Sequence, residues 1–554
     1  MARNVYLPYQ MPRGTVAQHK NNYRGGPTPM TTRLRQRVST LALSMAICAV
    51  LQSQAQAAED GEAILKAKCV GCHIPEEGQA LSRISHQRKT PEGWLMSIAR
   101  MQVMHGLKIE DDDRRTLVKY LADKQGLAPN EADGARYALE RRLNNVEDFD
   151  EKFTQMCARC HSGARVALQR RPAKEWEHLV NFHLGQWPSL EYQAQSRDRD
   201  WLDIALKEMV PELANRYPLD SKAWTDWQQQ RPDAAKLAGE WSFSGHVPSK
   251  GDVRGVMTAT VSDKDAFDVS LKGEYADGTP FNGSGSAILF NGYEWRGNLE
   301  VEGVAMRQVL AATAGEIRGR MFETEHDERG LDFVAAKQGT VRLLAVQPEY
   351  LKAGSEAELT LVGSGLSGKP SFGEGVEVLT VLEQTSERVR VKVKTASDAP
   401  VGIRMVNLGA LKGPNLAVYQ QISEVKVVPE YSVARVGGNG GSTPKVQGRF
   451  EAEAWGKDLA GKAYRIGLVP AKWSVEPFDE RAAEDQDVKF AGVMSAEDGV
   501  FTPGAAGPNP ERKMSTNNAG NLKVIAAVQQ DGQTLKGEGQ MIVTVQRWNN
   551  PPIP

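Results

Sequence analysis

The chain has little cysteine, with five among its 554 residues. Cys48 lies in the N-terminal segment and the other four form two C-x-x-C pairs, so none remains for a structural disulfide elsewhere. Long apolar runs are also missing, since beyond the N-terminal segment no stretch reaches the roughly 18 apolar residues of a transmembrane helix. We therefore expect no membrane span.

Common catalytic motifs are missing as well. The sequence contains no P-loop, no G-x-S-x-G nucleophile elbow and no H-E-x-x-H zinc motif. A G-x-G-x-x-G match at residues 363–368 is followed by Lys369-Pro370 instead of a helix, which argues against a dinucleotide site.

The charge balance shows no basic excess. Residues 1–57 contain seven of the 68 basic residues and no acidic residue, which leaves 61 basic against 69 acidic residues and a net charge of −8 for the remainder. This balance argues against nucleic acid as a partner.

The N-terminal 57 residues have the pattern of an export signal. Three arginines between residues 33 and 37 precede a mostly apolar stretch, and Ala55-Gln56-Ala57 matches a cleavage site. We expect the mature chain to begin at Ala58 and to lie in the periplasm. The unusual length of the segment favours Met30 as the true start.

Two motifs of the form C-x-x-C-H contain the remaining cysteines: Cys69-Val70-Gly71-Cys72-His73 and Cys157-Ala158-Arg159-Cys160-His161. This is the attachment pattern of a c-type haem, in which the two sulfurs form thioethers and the histidine binds the iron. A zinc site or a redox dithiol could use the same cysteine spacing. Two complete motifs favour two covalently bound haems c, with thioethers at Cys69, Cys72, Cys157 and Cys160 and proximal ligands His73 and His161.

Similar surroundings of the two motifs indicate an internal duplication. Leu65 and Phe153 each stand four residues before the first cysteine of a motif. Further on, Pro91 and Pro172 open two predicted helices that carry Trp94 and Trp176.

The duplication nominates the distal iron ligands. Met101 lies seven residues after Trp94, and His183 lies seven residues after Trp176. We predict His73 and Met101 for the first haem and His161 and His183 for the second.

Other side chains compete for these roles, because a methionine on an amphipathic helix often only fills a core. Met96, Met104 and His105 stand near Met101, while His178 and Met209 are the rivals of His183.

The predicted ligands make the haems unequal. Methionine ligation raises the reduction potential, so the bis-histidine haem should have the lower one. Both irons would be six-coordinate, which favours electron transfer over catalysis at haem.

After about residue 232 the sequence changes to β patterns. Asp277-Gly278, Asn282-Gly283 and Asn291-Gly292 are typical of hairpin turns. Phe267, Val269 and Leu271 alternate with polar residues, as in a half-buried strand.

The expected fold class is therefore an all-α dihaem cytochrome c domain followed by all-β domains, an antiparallel barrel and then two immunoglobulin-like sandwiches. The predicted boundaries are 1–57 for the presequence, 58–231 for the haem domain (units 58–140 and 141–231), 232–339 for the barrel, and 340–425 and 426–554 for the sandwiches.

The mature chain resembles the α subunit of quinohaemoprotein amine dehydrogenase. The resemblance rests on the tandem C-x-x-C-H motifs, on Arg100-Met101 and Phe182-His183, and on the three β domains behind them. It implies a periplasmic heterotrimer with a β-propeller subunit and a small subunit that carries a cysteine tryptophylquinone. The absence of a spare cysteine agrees with a quinone on another chain.

The resemblance also implies a mechanism. A primary amine would be oxidised at the quinone, and this chain would pass the electrons from the His161/His183 haem to the His73/Met101 haem. Azurin or a soluble cytochrome c would accept them. This order of the haems follows from ligand type and could be reversed.

Two alternatives remain open from the sequence. A dihaem peroxidase would need a haem whose distal side opens to peroxide. A stand-alone electron carrier or adhesion-type protein would use its immunoglobulin-like domains for binding. The preferred amine, the haem potentials and the subunit contacts of each β domain are not encoded in recognisable motifs.

Overall fold

The computed structural model describes residues 60–438, 444–512 and 516–545. The presequence and the cleavage site lie outside the described residues. The described residues from 60 to 237 are mainly helical, and those beyond 237 are mainly in strands. The helices of the first part are α1 (60–69), α2 (Pro91–His105), α3 (Asp111–Lys124), α4 (Pro129–Ala132), α5 (Arg136–Leu139), α6 (Glu151–Phe153), α7 (Ala164–Ala167), α8 (Ala173–Gln186), α9 (Trp201–Ile204), α10 (Val210–Arg216) and α11 (Lys222–Gln230).

Local chemistry sets the bounds of helix α2. The Thr90 hydroxyl accepts a hydrogen bond from the Gly93 amide at 3.3 Å, and Pro91 occupies the first turn, where its missing N–H costs nothing. The helix ends at Gly106, whose left-handed backbone (φ 70°) suits glycine.

Helices α2 and α8 bury equivalent positions of the two units. Trp94 and Ile98 are buried on α2, and Trp176 and Val180 are buried on α8. In each helix the two residues are four apart, so they lie on one face. The next position on that face is Met101 in α2 and His183 in α8.

The helical region is not all-α, and this part of the expected fold class is wrong. Strands β1 (Arg88–Lys89) and β2 (Gln169–Arg170) form an antiparallel pair, with Arg88 opposite Arg170 and Lys89 opposite Gln169. The two strands stand shortly before α2 and α8, at equivalent places in the two units. Their backbone groups are shielded from water and pair across the units, which joins the units through a small shared sheet.

A closed antiparallel barrel of eight strands follows, and β10 pairs back to β3. Its strands are β3 (Gly239–Val247), β4 (Gly251–Asp263), β5 (Ala266–Tyr275), β6 (Pro280–Phe290), β7 (Glu294–Val301), β8 (Val304–Ala312), β9 (Glu316–Glu323) and β10 (His326–Lys337). Phe267, Val269 and Leu271 of β5 are buried in its core while the residues between them are exposed.

The next domain consists of two four-stranded sheets, ordered β11-β13-β16-β15 and β12-β18-β17-β14. Their strands are β11 (Arg342–Gln347), β12 (Tyr350–Lys352), β13 (Glu356–Ser364), β14 (Pro370–Ser371), β15 (Val376–Gln384), β16 (Arg388–Thr395), β17 (Gly402–Leu408) and β18 (Leu411–Tyr419). Strands β12 and β18 are parallel, and all other pairs in these sheets are antiparallel.

The last domain also departs from the expected fold class, because it is not a two-sheet sandwich. Its described residues form sheets of three, four and three strands, together with two short helices. The elements are β19 (Glu424–Val428), β20 (Tyr431–Arg435), β21 (Gly448–Arg449), β22 (Glu451–Lys457), β23 (Ala463–Val469), β24 (Lys472–Pro477), α12 (Glu480–Glu484), α13 (Asp487–Phe490), β25 (Gly492–Met494), β26 (Val500–Pro503), β27 (Gly520–Gln530) and β28 (Gln533–Thr544). The two helices, β25 and β26 come from the long connection between β24 and β27, and β21, which pairs with β26, comes from the connection between β20 and β22.

The barrel packs directly on the helical region. Val309 and Phe322 of the barrel belong to the same buried cluster as Trp176 and Met209. Buried Glu294 of β7 accepts hydrogen bonds from Arg136 at 3.3 Å and from Arg296 at 2.7 Å. The wall of the helical region is thus completed by strands of the next domain.

Candidate haem sites

The second C-x-x-C-H motif begins in a π-helical turn, Thr154–Ala158, that continues helix α6. The Asp150 carboxylate caps α6 by accepting a hydrogen bond from the Phe153 amide at 2.8 Å. Cys157 is half-buried in the turn and Cys160 is exposed just beyond it. Burial raises the pKa of the Cys157 thiol to about 12. A thiol with so high a pKa is unlike the activated cysteine of a dithiol redox centre.

Glu147 fixes the chain immediately after His161. Its carboxylate accepts hydrogen bonds from the Ser162 hydroxyl, from the Gly163 amide at 2.7 Å and from the Ala164 amide at 3.2 Å. These amides stand at the start of α7, where intrahelical acceptors are missing. The backbone that carries His161 is therefore held in place on its C-terminal side.

The structure brings His161 and His183 together. Their ring centroids lie 6.5 Å apart with the planes inclined by 32°. A metal–imidazole bond is about 2.1 Å long, and the ring centre lies roughly 1.1 Å beyond the nitrogen. Two imidazoles on opposite sides of one metal ion should therefore have centroids about 6.4 Å apart. The observed separation matches this distance.

The three histidines proposed as ligands share a hydrogen-bond pattern. Each donates Nδ1–H to a backbone carbonyl, namely His73 to Ser82 at 2.8 Å, His161 to Ser162 at 3.0 Å and His183 to Leu179 at 2.7 Å. His86, His246 and His326 contact carboxylates instead. A donating Nδ1 leaves Nε2 as the acceptor, which is the tautomer that a metal ligand needs.

The surroundings of His161 and His183 keep both rings neutral. Burial lowers the pKa of each imidazole below its usual value, and Arg165 lowers both further. Hydrogen bonding to the carbonyls offsets this effect only in part. A neutral imidazole is the form that binds a metal.

A cavity of about 1360 Å³ surrounds the second motif. Cys157, Cys160, His161 and His183 all line it, so the covalent attachment points and both candidate axial ligands face one space. Much of the rest of its wall is apolar and includes Met156, Trp176, Leu179, Val180, Trp201, Leu213, Ile288, Val309 and Phe322. Apolar walls with a few convergent polar groups suit a large flat cofactor, so the residues present fit a haem.

The rivals of His183 are placed differently. Met209 also lines the cavity and is buried, so it remains a neighbour of the same space. His178 is two residues from Trp176 on α8 and is absent from the cavity wall. The structure thus brings His183, and not His178, into the space that His161 faces.

The first C-x-x-C-H motif lies at the end of α1. Cys69 is half-buried and packs against the core that contains Trp94 and Ile98, and Cys72 is exposed. The loop after His73 folds back on Ser82, whose hydroxyl accepts a hydrogen bond from the Ile74 amide at 2.8 Å. Ser82 therefore holds both the His73 ring and the backbone that follows it.

Met101 follows Trp94 and Ile98 on the inner face of α2 and is partly buried. Met104 is 54% exposed and His105 is exposed as well, at the solvent-facing end of the helix. This placement favours Met101 over Met104 and His105, and the third rival, Met96, lines the cavity of the second site. Cys69 packs on the same core as Trp94, which precedes Ile98 and Met101 on one face of α2, whereas His161 and His183 stand with their ring centroids 6.5 Å apart.

Several residues of the second site are not recognisable from the sequence. Glu147 lies 14 residues before His161 and has no motif around it. Lys89, Arg100 and Arg165 line the cavity but look like ordinary surface charges in the sequence. The position of Arg165, four residues after His161, is the one available signal.

Within residues 60–438, 444–512 and 516–545, no group of three or more His, Cys, Asp and Glu side chains is arranged to hold a metal ion. No helix in these ranges is long and apolar enough to cross a membrane.

Four family models match consecutive parts of the chain. Their descriptions are "Quinohemoprotein amine dehydrogenase A, alpha subunit, haem binding" for residues 59–224, and alpha subunit domain II for 234–338, domain III for 340–420 and domain IV for 425–553 of the same enzyme. Together they span nearly all of the chain that the structure describes.

The other comparisons add little. No curated protein matches. Among solved structures, a redesigned β-barrel, mFAP1 bound to DFHBI, is 14% identical, with 19% of this chain and 98% of that chain covered and a TM-score of 0.18. Mouse clustered PcdhgC3 EC1-3 is 9% identical, with coverages of 43% and 77% and a TM-score of 0.16. Zebrafish RET cadherin-like domains 1 to 4 are 13% identical, with coverages of 55% and 66% and a TM-score of 0.17. Likenesses this weak carry no argument.

Proposed function

The chain belongs to the family of quinohaemoprotein amine dehydrogenase alpha subunits, and from this premise we propose that it is the dihaem electron-transfer subunit of a periplasmic enzyme. It takes electrons from the cysteine tryptophylquinone of a small partner subunit, where primary amines are oxidatively deaminated. It delivers them to azurin or a soluble cytochrome c. A β-propeller subunit completes the heterotrimer.

The 6.5 Å separation of the His161 and His183 rings carries the proposal. Two imidazoles at this distance would occupy both axial positions of one iron and leave no open position for oxygen, peroxide or amine. Haem bound in this way supplies reversible one-electron chemistry. A closed coordination sphere therefore favours electron transfer over a peroxidase reaction.

The residues of the second site have separate tasks in this proposal. Cys157 and Cys160 hold the cofactor by thioethers, while His161 and His183 clamp it from opposite sides. Glu147 keeps the His161 segment in register through its bonds to the start of α7. The apolar part of the wall reduces the contact of the site with water, which limits reorganisation when the charge of the site changes.

The first site is the proposed exit for electrons. Cys69 and Cys72 provide the thioethers, and His73 and Met101 provide the axial ligands. Large apolar side chains next to these residues are exposed to solvent: Val70 by 42%, Ile74 by 70%, Val103 by 81% and Met104 by 54%. Exposed apolar side chains of this kind support transient docking of a small redox protein.

Anaerobic visible spectroscopy of the purified complex tests the proposal. Adding n-butylamine should produce the reduced c-haem bands, and a carbonyl reagent should block this change. Full reduction by dithionite, without reduction by any of several amines in a complex that retains all subunits, would refute the assignment. Spectral change on adding peroxide alone would instead favour a peroxidase.

A pair of variants on α8 tests the ligands of the second site. His183→Ala should open an axial position, so that the reduced protein binds carbon monoxide at one site per chain. His178→Ala on the same helix is the matched control and should bind none. Equal carbon monoxide binding by both variants would remove His183 from the proposed ligand set.

A further inference from the structure

The cavity of the second site has an unusually cationic wall. Lys89, Arg100, Arg165 and Arg171 all line it together with His161 and His183. Lys89 and Arg171 are only 5% and 4% exposed, whereas Arg100 is half-buried and Arg165 is more open. Buried cations are costly unless an anion faces them.

Of these four cations, only Arg171 is paired with a carboxylate in the described residues. Its guanidinium lies 3.5 Å from Glu175, which also accepts a hydrogen bond from Arg83 at 2.8 Å. Glu175 is therefore already shared between two arginines and leaves no carboxylate for the others.

The hydrogen-bond and ring partners of the remaining three cations in the described residues are all neutral. Lys89 donates to the Ser97 hydroxyl at 2.6 Å and lies 5.4 Å from the ring centre of Trp94. The Arg100 guanidinium stacks over the ring of Phe182 at 5.0 Å. Arg165 donates to the sulfur of Met96 at 2.9 Å. We refer to Lys89, Arg100 and Arg165 as the cationic triad.

Three other carboxylates at the cavity wall are already paired with arginines outside the triad, and a fourth is exposed. Glu92 pairs with Arg296, Asp111 with Arg114, and Asp112 with Arg115, while Asp263 is exposed. Burial lowers the pKa of Lys89 well below its usual range, and Arg171, Arg100, Arg165 and Arg83 lower it further. The protonated form of Lys89 is therefore disfavoured at this wall unless an anion accompanies it, and the described residues supply no carboxylate for it, for Arg100 or for Arg165.

We propose that the cationic triad binds the propionate carboxylates of the haem attached at Cys157 and Cys160. The inference rests on the proposed haem of the second site and adds the residues that recognise its charged groups. Arg165 follows His161 by four residues, and the Arg100 guanidinium lies over the ring of Phe182, the sequence neighbour of His183. All three cations line the cavity that both candidate axial ligands line.

The triad contains residues from both units of the internal repeat. Lys89 and Arg100 belong to the first unit, whereas Arg165 and both axial histidines belong to the second. The pairing of β1 with β2 holds Lys89 opposite Gln169 and thereby fixes this arrangement. The second haem is bound by both units, so neither unit supplies a complete second site.

Removing a cation of the triad should lower the midpoint potential of the bis-histidine haem, because a nearby positive charge favours the reduced state. Arg165→Gln and Lys89→Met are the test variants in the purified complex. Arg83→Gln is the matched control, since Arg83 belongs to the same cluster but pairs with Glu175 and does not line the cavity.

Spectroelectrochemistry and resonance Raman spectroscopy provide the readouts. We expect the test variants to shift the lower-potential haem and its propionate bending bands, to leave the higher-potential haem unchanged, and to retain two haems per chain. Arg165→Lys should restore much of the Arg165→Gln shift. The control should match the unmutated complex in every measurement.

Each other outcome has a defined meaning. Two haems per chain with unchanged potentials and Raman bands in both test variants would refute the inference and point to carboxylates of a partner subunit. Fewer than two haems in the unmutated complex, measured by the pyridine haemochrome assay, would refute the proposed second site itself. Because Arg165 is exposed, Arg165→Gln keeps the test valid if Lys89→Met fails to fold.

Discussion

Raising the pH from 6 to 10 should weaken the contact between the barrel and the C-terminal domain. The contact depends on His246 of β3, whose two ring nitrogens each lie 2.7 Å from a carboxylate, Nδ1 from Asp252 and Nε2 from Glu451. Glu451 opens β22 of the last domain, so the ring bridges two domains. Burial lowers the pKa of His246, but hydrogen bonds to and charge attraction by the two carboxylates outweigh it and raise the pKa to about 10.

The sign of the effect follows from proton binding. Below pH 6.5 the imidazole is protonated in both the folded and the unfolded chain, and the full stabilisation is present. Between pH 6.5 and about 10 only the folded chain keeps the proton, so stability falls as the pH rises. At about 1.4 kcal/mol per pKa unit the upper limit is about 5 kcal/mol. The ring is 31% exposed, and screening by solvent reduces our expectation to about 2 kcal/mol.

Thermal unfolding of the chain and of its His246→Gln variant at pH 6, 8 and 10 and constant ionic strength measures this contribution. The variant should be less stable by about 2 kcal/mol at pH 6, which lowers the midpoint of a chain this long by about 2 °C. At pH 10 the two proteins should unfold within about 0.5 °C of each other. The contributions of all other titrating groups cancel when the two midpoints are subtracted, because both proteins contain these groups. A difference between the two unfolding midpoints that stays constant from pH 6 to 10 would refute the proposed ion pairs of His246 with Asp252 and Glu451.

Two further predictions concern the sites themselves. Met101→His should lower the midpoint potential of the higher-potential haem, because imidazole replaces a thioether, whereas the exposed Met104→Leu should leave it unchanged in the same spectroelectrochemical titration. An unchanged potential in Met101→His would exclude Met101 as a ligand. Glu147→Gln should destabilise the chain by about 2 kcal/mol. The carboxylate accepts hydrogen bonds from the Ser162 hydroxyl and from two backbone amides at the start of α7, and the neutral side chain of glutamine accepts these bonds less strongly. Chemical denaturation checks this, and Glu151→Gln, on an exposed residue of α6, is its control.

Sequence periodicity was informative where one element buries one face. The equal distances from Trp94 to Met101 and from Trp176 to His183 depend only on helical geometry, and the structure places both pairs on equivalent faces of α2 and α8. The alternation in β5 likewise matches its burial pattern. These patterns are local, so a single sequence records them.

Features that depend on two distant segments were missed or misread. Strands β1 and β2 are two residues each and exist only because the units meet there. Asn282-Gly283 was expected to form a turn, yet both residues lie inside β6. A Cβ at Gly283 would come within 2.5 Å of the Glu300 carbonyl of β7. This glycine is therefore needed because the two strands pack closely at this point. In the sequence, a glycine required for close packing looks the same as a glycine required for a turn.

The barrel contributes more to the second site than a scaffold would. Its outer surface supplies Val309 and Phe322 to the core beneath Trp176 and also supplies part of the cavity wall. The helical region covers these two side chains and so buries them. They in turn complete the hydrophobic core of the helical region. Buried Glu294, which faces Arg136 and Arg296, ties the same interface by charge. A chain cut after residue 231 would expose both surfaces and the buried arginine together. The helical region and the barrel therefore constitute one structural unit around the proposed site of the second haem, although the sequence divides them into two domains.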